Sequence, residues 1–387
     1  MQQPTIKLTR NLRKIILRGN PWIYRESISV PKGIKKTTLC KVVDNKDQFI
    51  CWAMYNPQSP LALRVLTLAK RFPDKRDFEQ AFKRACELRK GVFSQDTNCY
   101  RLINGEGDYL PGFICDIYDS VAVMQFDGSG PFEFWSHDDL AKWIMNHTSC
   151  KYVYYKPRHD SSTLKQEWGQ KPKSDDVLVK ENNVIFSVDY IHGKKTGFFL
   201  DQRENRNYLR KISNGKSVLN LFSYSGGFSV YAGKGGALSV TSVDISQGAL
   251  DLAEKNWQLN GLERHKHSSL CADVFKFVHE LEQTYDIVVC DPPSLAKSEE
   301  NKAVAVEKYI ETFAAAAKRV KSHGHLILSS CSSHVSFDDF MEIVTNSLSK
   351  VRRRAQVLRI SGQGLDHPFP QACPHLRYLK FIDLVVE

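Results

Sequence analysis

Residues 217–232 of the chain read SVLNLFSYSGGFSVYA, and this stretch decides the fold of the second half. Strand-forming residues fill 217–222, a turn of serine and glycine follows, and the sequence after the turn is compatible with a helix. A strand that runs through a tight turn into a helix is the basic step of an alternating α/β fold. The stretch therefore predicts a sheet whose strands alternate with helices.

The same rhythm continues to the end of the chain. Further strands are expected in LSVTSVD (238–244), HSSLCAD (267–273), YDIVVCD (285–291) and GHLILSS (324–330). Helical sequence separates these segments, which predicts parallel strands with helices on both faces. The last two strand segments, AQVLRIS (355–361) and YLKFIDLVV (378–386), have only a loop between them and should form an antiparallel edge pair. Residues 192–387 are thus predicted to form a doubly wound, mostly parallel, seven-stranded α/β sheet.

Two other parts are predicted before residue 192. Residues 1–72 contain short strand segments broken by Gly, Pro and Asn, which indicates a small β-barrel. Residues 73–191 mix helices and strands and should form a central α+β domain, in which the polar segment 158–176 is expected to be a loop. The residues at helical spacing on the expected buried face of its first helix are Phe78, Phe82, Ala85 and Leu88.

The chain has 387 residues and a formal net charge of +11, and positive charge is concentrated near the N-terminus. Between residues 1 and 41 the only acid is Glu26. The basic residues of this segment are Lys7, Arg10, Arg13, Lys14, Arg18, Arg25, Lys32, Lys35, Lys36 and Lys41. Such a concentration is typical of a surface that binds a polyanion, most often nucleic acid, but also of a solvated face, and charge alone favours neither.

Membrane and metal partners are not expected. No run approaches the ~18 apolar residues that a membrane helix requires, and the N-terminal segment lacks the features of a secretory signal. The ten cysteines show no CxxC pair and no Cys/His spacing typical of zinc, which indicates reduced thiols. These features predict a cytoplasmic protein and leave a homodimer open.

Polar residues cluster at the carboxyl ends of the predicted strands, where open α/β sheets bind their ligands. The first strand ends in a turn with Ser223, Ser225 and Gly226, which lets a ligand approach the backbone closely. The next three strands end in Asp244, Asp273 and Asp291. A single Asp in this place is commonly a helix cap, but three in succession indicate a binding site.

Two kinds of cofactor fit a carboxylate after the second strand, because both carry a ribose whose hydroxyl groups it can bind. A dinucleotide also requires the glycine-rich pyrophosphate turn GxGxxG, and its third glycine is missing here. The additional acids suit a cationic sulfonium group better than a diphosphate. The pattern favours S-adenosylmethionine and methyl transfer over a nicotinamide cofactor and hydride transfer.

Several motifs resemble those of the bacterial large-subunit ribosomal RNA cytosine-C5 methyltransferase family. They are NPWIYRESI (20–28), KTGFFLDQRENR (195–206), VLNLFSYSGGFSVYA (218–232), VDIS (243–246), CDPPSLAKS (290–298), LSSCSS (328–333), GQGLDHPF (362–369) and YLK (378–380). The resemblance covers essentially the whole chain. It implies an N-terminal PUA domain, a central α+β domain, a C-terminal class I methyltransferase domain, the cofactor S-adenosylmethionine and large-subunit ribosomal RNA as the partner.

The resemblance also implies roles for individual residues. Asp244 would hold the cofactor ribose, Asp273 would lie near the adenine, and Gln202 would close over the cofactor. The full set of residues expected at the cofactor is Gln202, Phe222, Ser223, Ser225, Gly226, Asp244, Ile245, Asp273, Val274 and Asp291.

Asp291 ends a predicted strand and is followed by two prolines, which prevent a helix from starting directly after it. The stiff loop would hold the carboxylate toward both cofactor and base, so Asp291 is expected to be catalytic as well. Enzymes that methylate an exocyclic amine resemble one another in having an aromatic residue after the prolines. Ser294 stands there in this chain, which counts against amine chemistry.

Cys331 is the expected nucleophile. Carbon 5 of a pyrimidine is a poor nucleophile until a thiolate adds to carbon 6, and Cys331 follows the fifth strand among four serines. A cysteine in a strand is more commonly a core residue, but the strand end, the serines and the family match together favour catalysis. Cys290 precedes Asp291 within a strand and should point into the core. A related group of enzymes has a second cysteine where Pro293 stands, so a mechanism with one cysteine is expected.

The base that removes the proton from carbon 5 is left unassigned among His334, Asp338, Asp366 and His367. Three other functions stay open at this point. One is a 5-methyluridine-forming enzyme, whose substrate differs only in the group on carbon 4 of the base. An RNA-binding protein with an inactive methyltransferase fold is disfavoured by the intact turn and Cys331, and a nicotinamide oxidoreductase by the incomplete glycine pattern.

Overall fold

The computed structural model describes residues 3–30, 33–158, 166–296 and 298–387, which form two compact units. The first unit consists of Met1–Val179, Val188–Phe198 and Leu365–Leu376. The second unit consists of Lys180–Ser187, Phe199–Gly364 and Arg377–Glu387. Each unit is therefore assembled from segments that are distant in the chain.

The N-terminal strands of the first unit form one six-stranded sheet. They are β1 (Thr5–Leu8), β2 (Trp22–Tyr24), β3 (Ile28–Ser29), β4 (Thr38–Val43), β5 (Phe49–Tyr55) and β6 (Leu61–Thr67), with helix α1 (Arg13–Leu17) after β1. The order in the sheet is β2-β6-β5-β4-β1-β3, and only β1 and β4 pair in parallel. Ile6, Val42 and Leu63 belong to its buried core, as expected for short strands with one apolar face.

The rest of the first unit is built on a five-stranded sheet. Its strands are β7 (Cys99–Asn104), β8 (Phe113–Tyr118), β9 (Val121–Phe126), β10 (Tyr152–Tyr155) and β11 (Gln166–Gly169), in the order β11-β10-β9-β8-β7. Its helices are α2 (Lys75–Val92), α3 (Ser129–Phe134) and α4 (His137–His147). β11 lies within the segment predicted to be a loop, and residues 159–165 of that segment lie outside the described residues. The alternation in QEWG is too short for the sequence to distinguish a strand from a loop.

Helix α2 forms as predicted, with Asp74 and Asp77 in a reciprocal capping box at its start, but one predicted core residue is wrong. Leu88 is 47% exposed. Arg89 takes its place on the buried face, because its guanidinium is neutralised by both oxygens of Asp108, at 2.5 and 2.8 Å. A paired arginine can be buried where an apolar residue would otherwise be expected.

Two strands, β12 (Asp176–Glu181) and β13 (Val184–Asp189), form a separate two-stranded sheet. The second unit then contains the predicted alternation of helices and strands. Its elements are α5 (Arg203–Ile212), β14 (Ser217–Leu221), α6 (Gly227–Lys234), β15 (Ser239–Asp244), α7 (Gln247–Leu259), β16 (His267–Cys271), α8 (Val274–Glu280), β17 (Tyr285–Cys290), α9 (Lys302–Lys318), β18 (Val320–Ser330), α10 (Phe337–Lys350), β19 (Ala355–Ser361) and β20 (Lys380–Val386).

The seven strands β14 to β20 form one sheet in the order β16-β15-β14-β17-β18-β20-β19. The first five are parallel, and β20 is antiparallel to both β18 and β19. This is the predicted doubly wound sheet with an antiparallel pair at one edge. Because β14 lies at the point where the strand order reverses, the loops after β14 and β17 diverge there and leave room for a ligand.

Both faces of this sheet are covered by helices. Along β14, Val218 packs in a core that includes residues of α5, α6 and α7, whereas Leu219 packs in a core that includes residues of α8, α9 and α10. Successive side chains of a strand point to opposite faces, so a strand buried on both sides reads as a continuous apolar run. This explains why central strands such as β14 and β17 were recognisable in the sequence.

Gly226 is the residue of the turn whose conformation the fold most clearly requires. Its φ is +74°, and a Cβ atom there would lie 2.8 Å from Cβ of Ala253. We expect Gly226→Ala to lower the free energy of unfolding by at least about 1–2 kcal/mol, the cost of a left-handed alanine. Gly248→Ala is the matched control, because that position is open, and a helical alanine should leave the stability unchanged or raise it. Urea denaturation measures both, and equal effects would contradict this account.

Candidate functional site

All predicted cofactor and catalytic residues lie in the second unit, at or beside the carboxyl ends of β14, β15, β16, β17 and β18. The first of these ends is the turn after β14. In it Phe222, Tyr224 and Gly226 have φ values of +60°, +47° and +74°, so two non-glycine residues adopt the left-handed conformation. Strained backbone of this kind persists only when the surroundings fix it.

Asp244, at the end of β15, supplies much of that support. Its Oδ2 accepts a hydrogen bond from the backbone N–H of Tyr224 at 2.8 Å, and its Oδ1 accepts one from the N–H of Ser246 at 3.0 Å. The turn is also tied to β15 by the N–H of Ser223, which donates to the carbonyl of Val243. Asp244 therefore has a structural role, and each carboxylate oxygen keeps a second lone pair for a ligand.

The hydroxyl groups of Ser223 and Ser225 are buried in the same turn and have no hydrogen-bond partner in the described protein. Buried polar groups in folded proteins are almost always paired with protein, water or ligand. Two unpaired hydroxyl groups in a strained turn, beside a carboxylate, fit a polar ligand such as an amino-acid or ribose group.

The other residues expected at the cofactor contribute in different ways. Ile245 is 67% exposed directly after Asp244 and offers an apolar surface. Asp273 caps α8 by accepting the N–H of Phe275, whereas the side chain of Val274 is buried in the core, which leaves only its backbone for a ligand. The ring of Phe222 lies edge-on to Phe275 at 5.0 Å.

Gln202, Asp291 and Ser329 meet at the ends of β17 and β18. Nε2 of Gln202 donates to Oδ2 of Asp291 at 3.1 Å, and the hydroxyl of Ser329 donates to Oδ1. Asn205 orients the Gln202 amide, because its Nδ2 donates to Oε1 of Gln202 at 2.7 Å. A carboxylate that accepts hydrogen bonds on both oxygens is stabilised as the anion. Asn205 lies within the motif KTGFFLDQRENR, but the sequence predicts no role for it, since a polar residue is ordinary in an amphipathic helix.

Cys331 directly follows β18 and is partly exposed. The next residue, Ser332, links several elements, because its Oγ accepts the N–H groups of Leu295 and Ala296 at 3.1 and 3.2 Å. It also bonds to the hydroxyl of Tyr309 at 2.9 Å. The loop after Asp291 is thus fixed to the residue after Cys331. The two prolines leave the loop without helical hydrogen bonds, and Ser332 supplies the missing partners.

Lys380, the first residue of β20, is a buried cation that lies in the motif YLK but was expected to have no role of its own. Its Nζ donates to the carbonyl oxygens of Ser332, Val335 and Tyr378 at 2.7, 2.7 and 2.8 Å. A lysine at the start of a buried apolar strand is the available sequence signal, since lysine is rarely fully buried without a reason.

Cys290 is fully buried, as predicted, and burial raises the pKa of its thiol well above the usual value. The four candidates for the general base lie in different parts of the fold. Asp366 and His367 belong to the first unit, where they form a buried pair and Asp366 accepts the N–H of Arg101. Asp338 is in the first turn of α10, and His334 lies 3.4 Å from Glu299.

The described residues offer neither a metal site nor a membrane-spanning helix. No group of three or more His, Cys, Asp or Glu side chains there is arranged to hold a metal ion. None of the described helices has the length and apolar character needed to cross a bilayer.

Comparison with known proteins gives two family matches and full-length relatives. Residues 141–343 match the S-adenosylmethionine-dependent methyltransferase family, and residues 6–68 match a PUA-like domain. The chain is 35% identical to ribosomal RNA large subunit methyltransferase I of Photobacterium profundum, with 97% of this chain and 98% of that protein covered. It is 34% identical to a ribosomal RNA large subunit methyltransferase of Deinococcus radiodurans, with 95% and 94% covered.

Solved structures agree with the fold. The crystal structure of SMU.776, described as a methyltransferase and complexed with SAH, superposes with a TM-score of 0.87 over the whole of both chains at 25% identity. A structure from Streptococcus mutans, described as a SAM-dependent methyltransferase, has a TM-score of 0.85 at 24% identity, covering 99% of this chain and all of that one. The cofactor of this chain is therefore S-adenosylmethionine, and the predicted fold class is confirmed.

If the hydroxyl groups of Ser223 and Ser225 bind the cofactor, removing both should weaken binding without loss of stability. We expect S223A/S225A to raise the Kd for S-adenosylhomocysteine about fivefold or more, since one hydrogen bond contributes roughly 1 kcal/mol. Titration calorimetry measures the affinity. Ser347→Ala is the control, because that buried hydroxyl already donates to the carbonyl of Ile343 within α10. An unchanged Kd for the double variant would exclude both hydroxyl groups from the site.

Proposed function

The chain belongs to the S-adenosylmethionine-dependent methyltransferase family, and we propose that it forms 5-methylcytidine in large-subunit ribosomal RNA through a covalent adduct of Cys331. The observation that carries the proposal is the partly exposed thiol of Cys331, directly after β18. The neighbouring strand in the sheet is β17, and Asp291 at its end bonds to Gln202 and Ser329 in what we call the Asp291 cluster. The names of the relatives support ribosomal RNA as the substrate class.

The residues present fit the cofactor. Asp244 would bind the ribose, the hydroxyl groups of Ser223 and Ser225 would bind polar groups, and Ile245 and Asp273 would flank the adenine. When bound, S-adenosylmethionine supplies the electrophilic methyl group that carbon 5 of the base accepts. The family match and the unpaired buried hydroxyl groups support this assignment.

Cys331 would supply the activation that carbon 5 requires. The thiolate sulfur forms a bond to carbon 6, and the electron pair of the C5–C6 double bond moves to carbon 5. After carbon 5 has gained its methyl group, a base removes the remaining C5 proton. The electron pair of that C–H bond restores the double bond and expels the thiolate from carbon 6.

Asp291 would favour cytosine over uracil. Its carboxylate accepts hydrogen bonds from Gln202 and Ser329, and an ionised carboxylate can only accept further hydrogen bonds. Carbon 4 of cytosine carries an amino group that donates, whereas uracil carries a carbonyl oxygen there that a carboxylate repels. This electrostatic difference is the argument for 5-methylcytidine over 5-methyluridine.

Methyl transfer with labelled cofactor to ribosomal RNA from a strain lacking this protein tests the mechanism. We expect the wild type to produce 5-methylcytidine and Cys331→Ala to lose activity by roughly a thousandfold or more, as when a nucleophile is removed. Cys290→Ala, which changes a buried thiol, is the matched control and should keep the same product. Nucleoside analysis identifies the base, and 5-methyluridine would show that the target is uracil. An active Cys331→Ala enzyme would exclude the adduct.

The RNA would also contact the first unit. Several N-terminal basic residues are already engaged there: Lys7 pairs with Asp47, Arg13 with Asp44, and Arg25 with backbone carbonyls. Lys32 lies outside the described residues. Arg18 is exposed and forms no side-chain hydrogen bond or ion pair with the described residues. The positive charge available to a polyanion is thus smaller than the sequence count suggests.

Arg18 lines a groove of about 670 Å³ within this unit, together with Arg84 of α2. Arg84 is also exposed and unpaired among the described residues. Leu66 and Ala81 form part of an apolar floor, and Tyr109, at 64% exposure, stands at the margin. Arginines for phosphates and an exposed aromatic ring for a base suit single-stranded RNA.

We expect Arg18→Gln and Arg84→Gln each to weaken RNA binding and to reduce the slope of log K against log salt by about 1. Lys142→Gln, at an exposed position of α4 outside the groove, is the charge-matched control and should have a smaller effect. Filter binding at several salt concentrations measures the slopes. Affinity for S-adenosylhomocysteine should not change in any of these variants. If the slope of log K against log salt is equal in all three variants, the effect is one of net charge and the groove is not the RNA-binding site.

A further inference from the structure

Lys380 is a buried ammonium group without a carboxylate in contact. Its side chain belongs to a residue that is 3% exposed, and its three hydrogen bonds use all three protons of the ammonium group. No carboxylate oxygen of the described residues lies within 4 Å of it, since it forms no ion pair there. Burying a charge is costly unless it is paired, so such a cation calls for a functional reason.

Two of the three acceptors belong to the turn that carries Cys331, and the third is the carbonyl of Tyr378 in the segment of Lys380 itself. Ser332, whose carbonyl is 2.7 Å from Nζ, is the next residue after Cys331, and Val335 ends the same turn. In the sheet, Lys380 is the direct partner of Ser330, the residue before Cys331. The ammonium group is therefore held against the backbone that follows the thiol, and the Lys380 backbone is paired with the residue that precedes it.

We propose that Lys380 is a positioning residue that fixes the Cys331 turn and supplies the positive charge that favours the Cys331 thiolate. The inference rests on the proposed function, in which Cys331 adds to the base. The thiol gives its proton to water, and the negative charge left on Sγ is stabilised by the ammonium group. Lys380 itself neither gains nor loses a proton in this step, because all three of its protons remain hydrogen-bonded.

The charges of Lys380 and Cys331 act on each other. Burial lowers the pKa of Lys380 to about 8, and the negative charges of Cys331 and Asp339 oppose that shift. Lys380 is therefore largely charged at neutral pH. By the same interaction, its charge favours ionisation of the thiol, whose ordinary pKa is about 8.5.

Four other charged or titratable groups of the described residues belong to elements near the Cys331 turn. Asp339 of α10 is already paired with Lys302 of α9 at 2.8 Å. Asp291 is negative and would oppose a thiolate, and burial raises the pKa of Tyr309 to about 12, which keeps its hydroxyl neutral. His334 lies 3.4 Å from the carboxylate of Glu299.

The test is the rate at which iodoacetamide alkylates Cys331, followed between pH 5.5 and 9.5 by mass spectrometry of the peptide. We expect a midpoint below the usual value of about 8.5 in the wild type. In Lys380→Met the midpoint should rise by about one unit, which slows alkylation about tenfold at pH values below both midpoints. Lys380→Arg keeps the charge and should restore most of the rate. Lys276→Met, which removes an exposed lysine of α8, is the control and should match the wild type.

Binding of S-adenosylhomocysteine shows whether each variant is folded. A folded Lys380→Met protein with the wild-type midpoint would overturn the proposal. A wild-type midpoint at or above that of an ordinary cysteine would also overturn it, and this measurement requires no variant. Alkylation does not require methyl transfer, so this outcome is independent of the Cys331→Ala activity test. If Cys331→Ala abolishes methylation but the alkylation midpoint does not shift in Lys380→Met, the proposed role of Lys380 is wrong and the proposed function still holds.

Discussion

A parallel sheet covered by helices on both faces leaves only the ends of its strands for polar chemistry, and the second unit is arranged around this constraint. Polar side chains within its interior bond to one another. Nδ2 of Asn220 donates to Ser229, which bonds to Ser242, which in turn bonds to His267 at 2.8 Å. Pairing within this network is incomplete, since Oδ1 of Asn220 has no hydrogen-bond partner among the described residues. The hydroxyl groups of Ser223 and Ser225 are also buried without a partner there, but they lie in the turn at the carboxyl end of β14, where open α/β sheets bind their ligands.

The loops at these strand ends hold one another in place. Asp244 of β15 fixes the turn after β14 through Tyr224, and Ser332 after β18 fixes the loop after β17 through Leu295 and Ala296. Asn205 fixes Gln202, which bonds to Asp291. Each reactive or binding group is thus held by a neighbouring loop as well as by its own strand. Preorganisation of this kind lowers the entropy and reorganisation costs of a reaction between two bound groups.

The sequence was sufficient to predict those features that depend on the path of a single strand. Asp244, Asp291 and Cys331 were recognisable because each follows a strand-like run, and Cys290 was placed in the core by alternation alone. The contacts of Lys380 with the Cys331 turn could not be predicted, because they depend on β20 lying between β18 and β19, and the sequence leaves the order of that pair undetermined. Leu88 was misplaced because the burial of Arg89 depends on Asp108, which lies outside the helix.

The ten cysteines show that the reactivity of a thiol depends on its position in the fold. Burial raises the pKa of the thiols of Cys51, Cys86 and Cys373 to about 12, 11 and 11, so these remain protonated at neutral pH. All ten cysteines lie among the described residues, and of these only Cys271 and Cys331 are not buried. Cys271 ends β16, the outermost strand on its side, and its thiol donates to the carbonyl of Ile245. Cys331 directly follows the central strand β18, and its neighbour Ser332 accepts a hydrogen bond from the ammonium group of Lys380. The proposed nucleophile needs access together with a favourable charge, and Cys331 is the partly exposed thiol whose turn also contacts a cation.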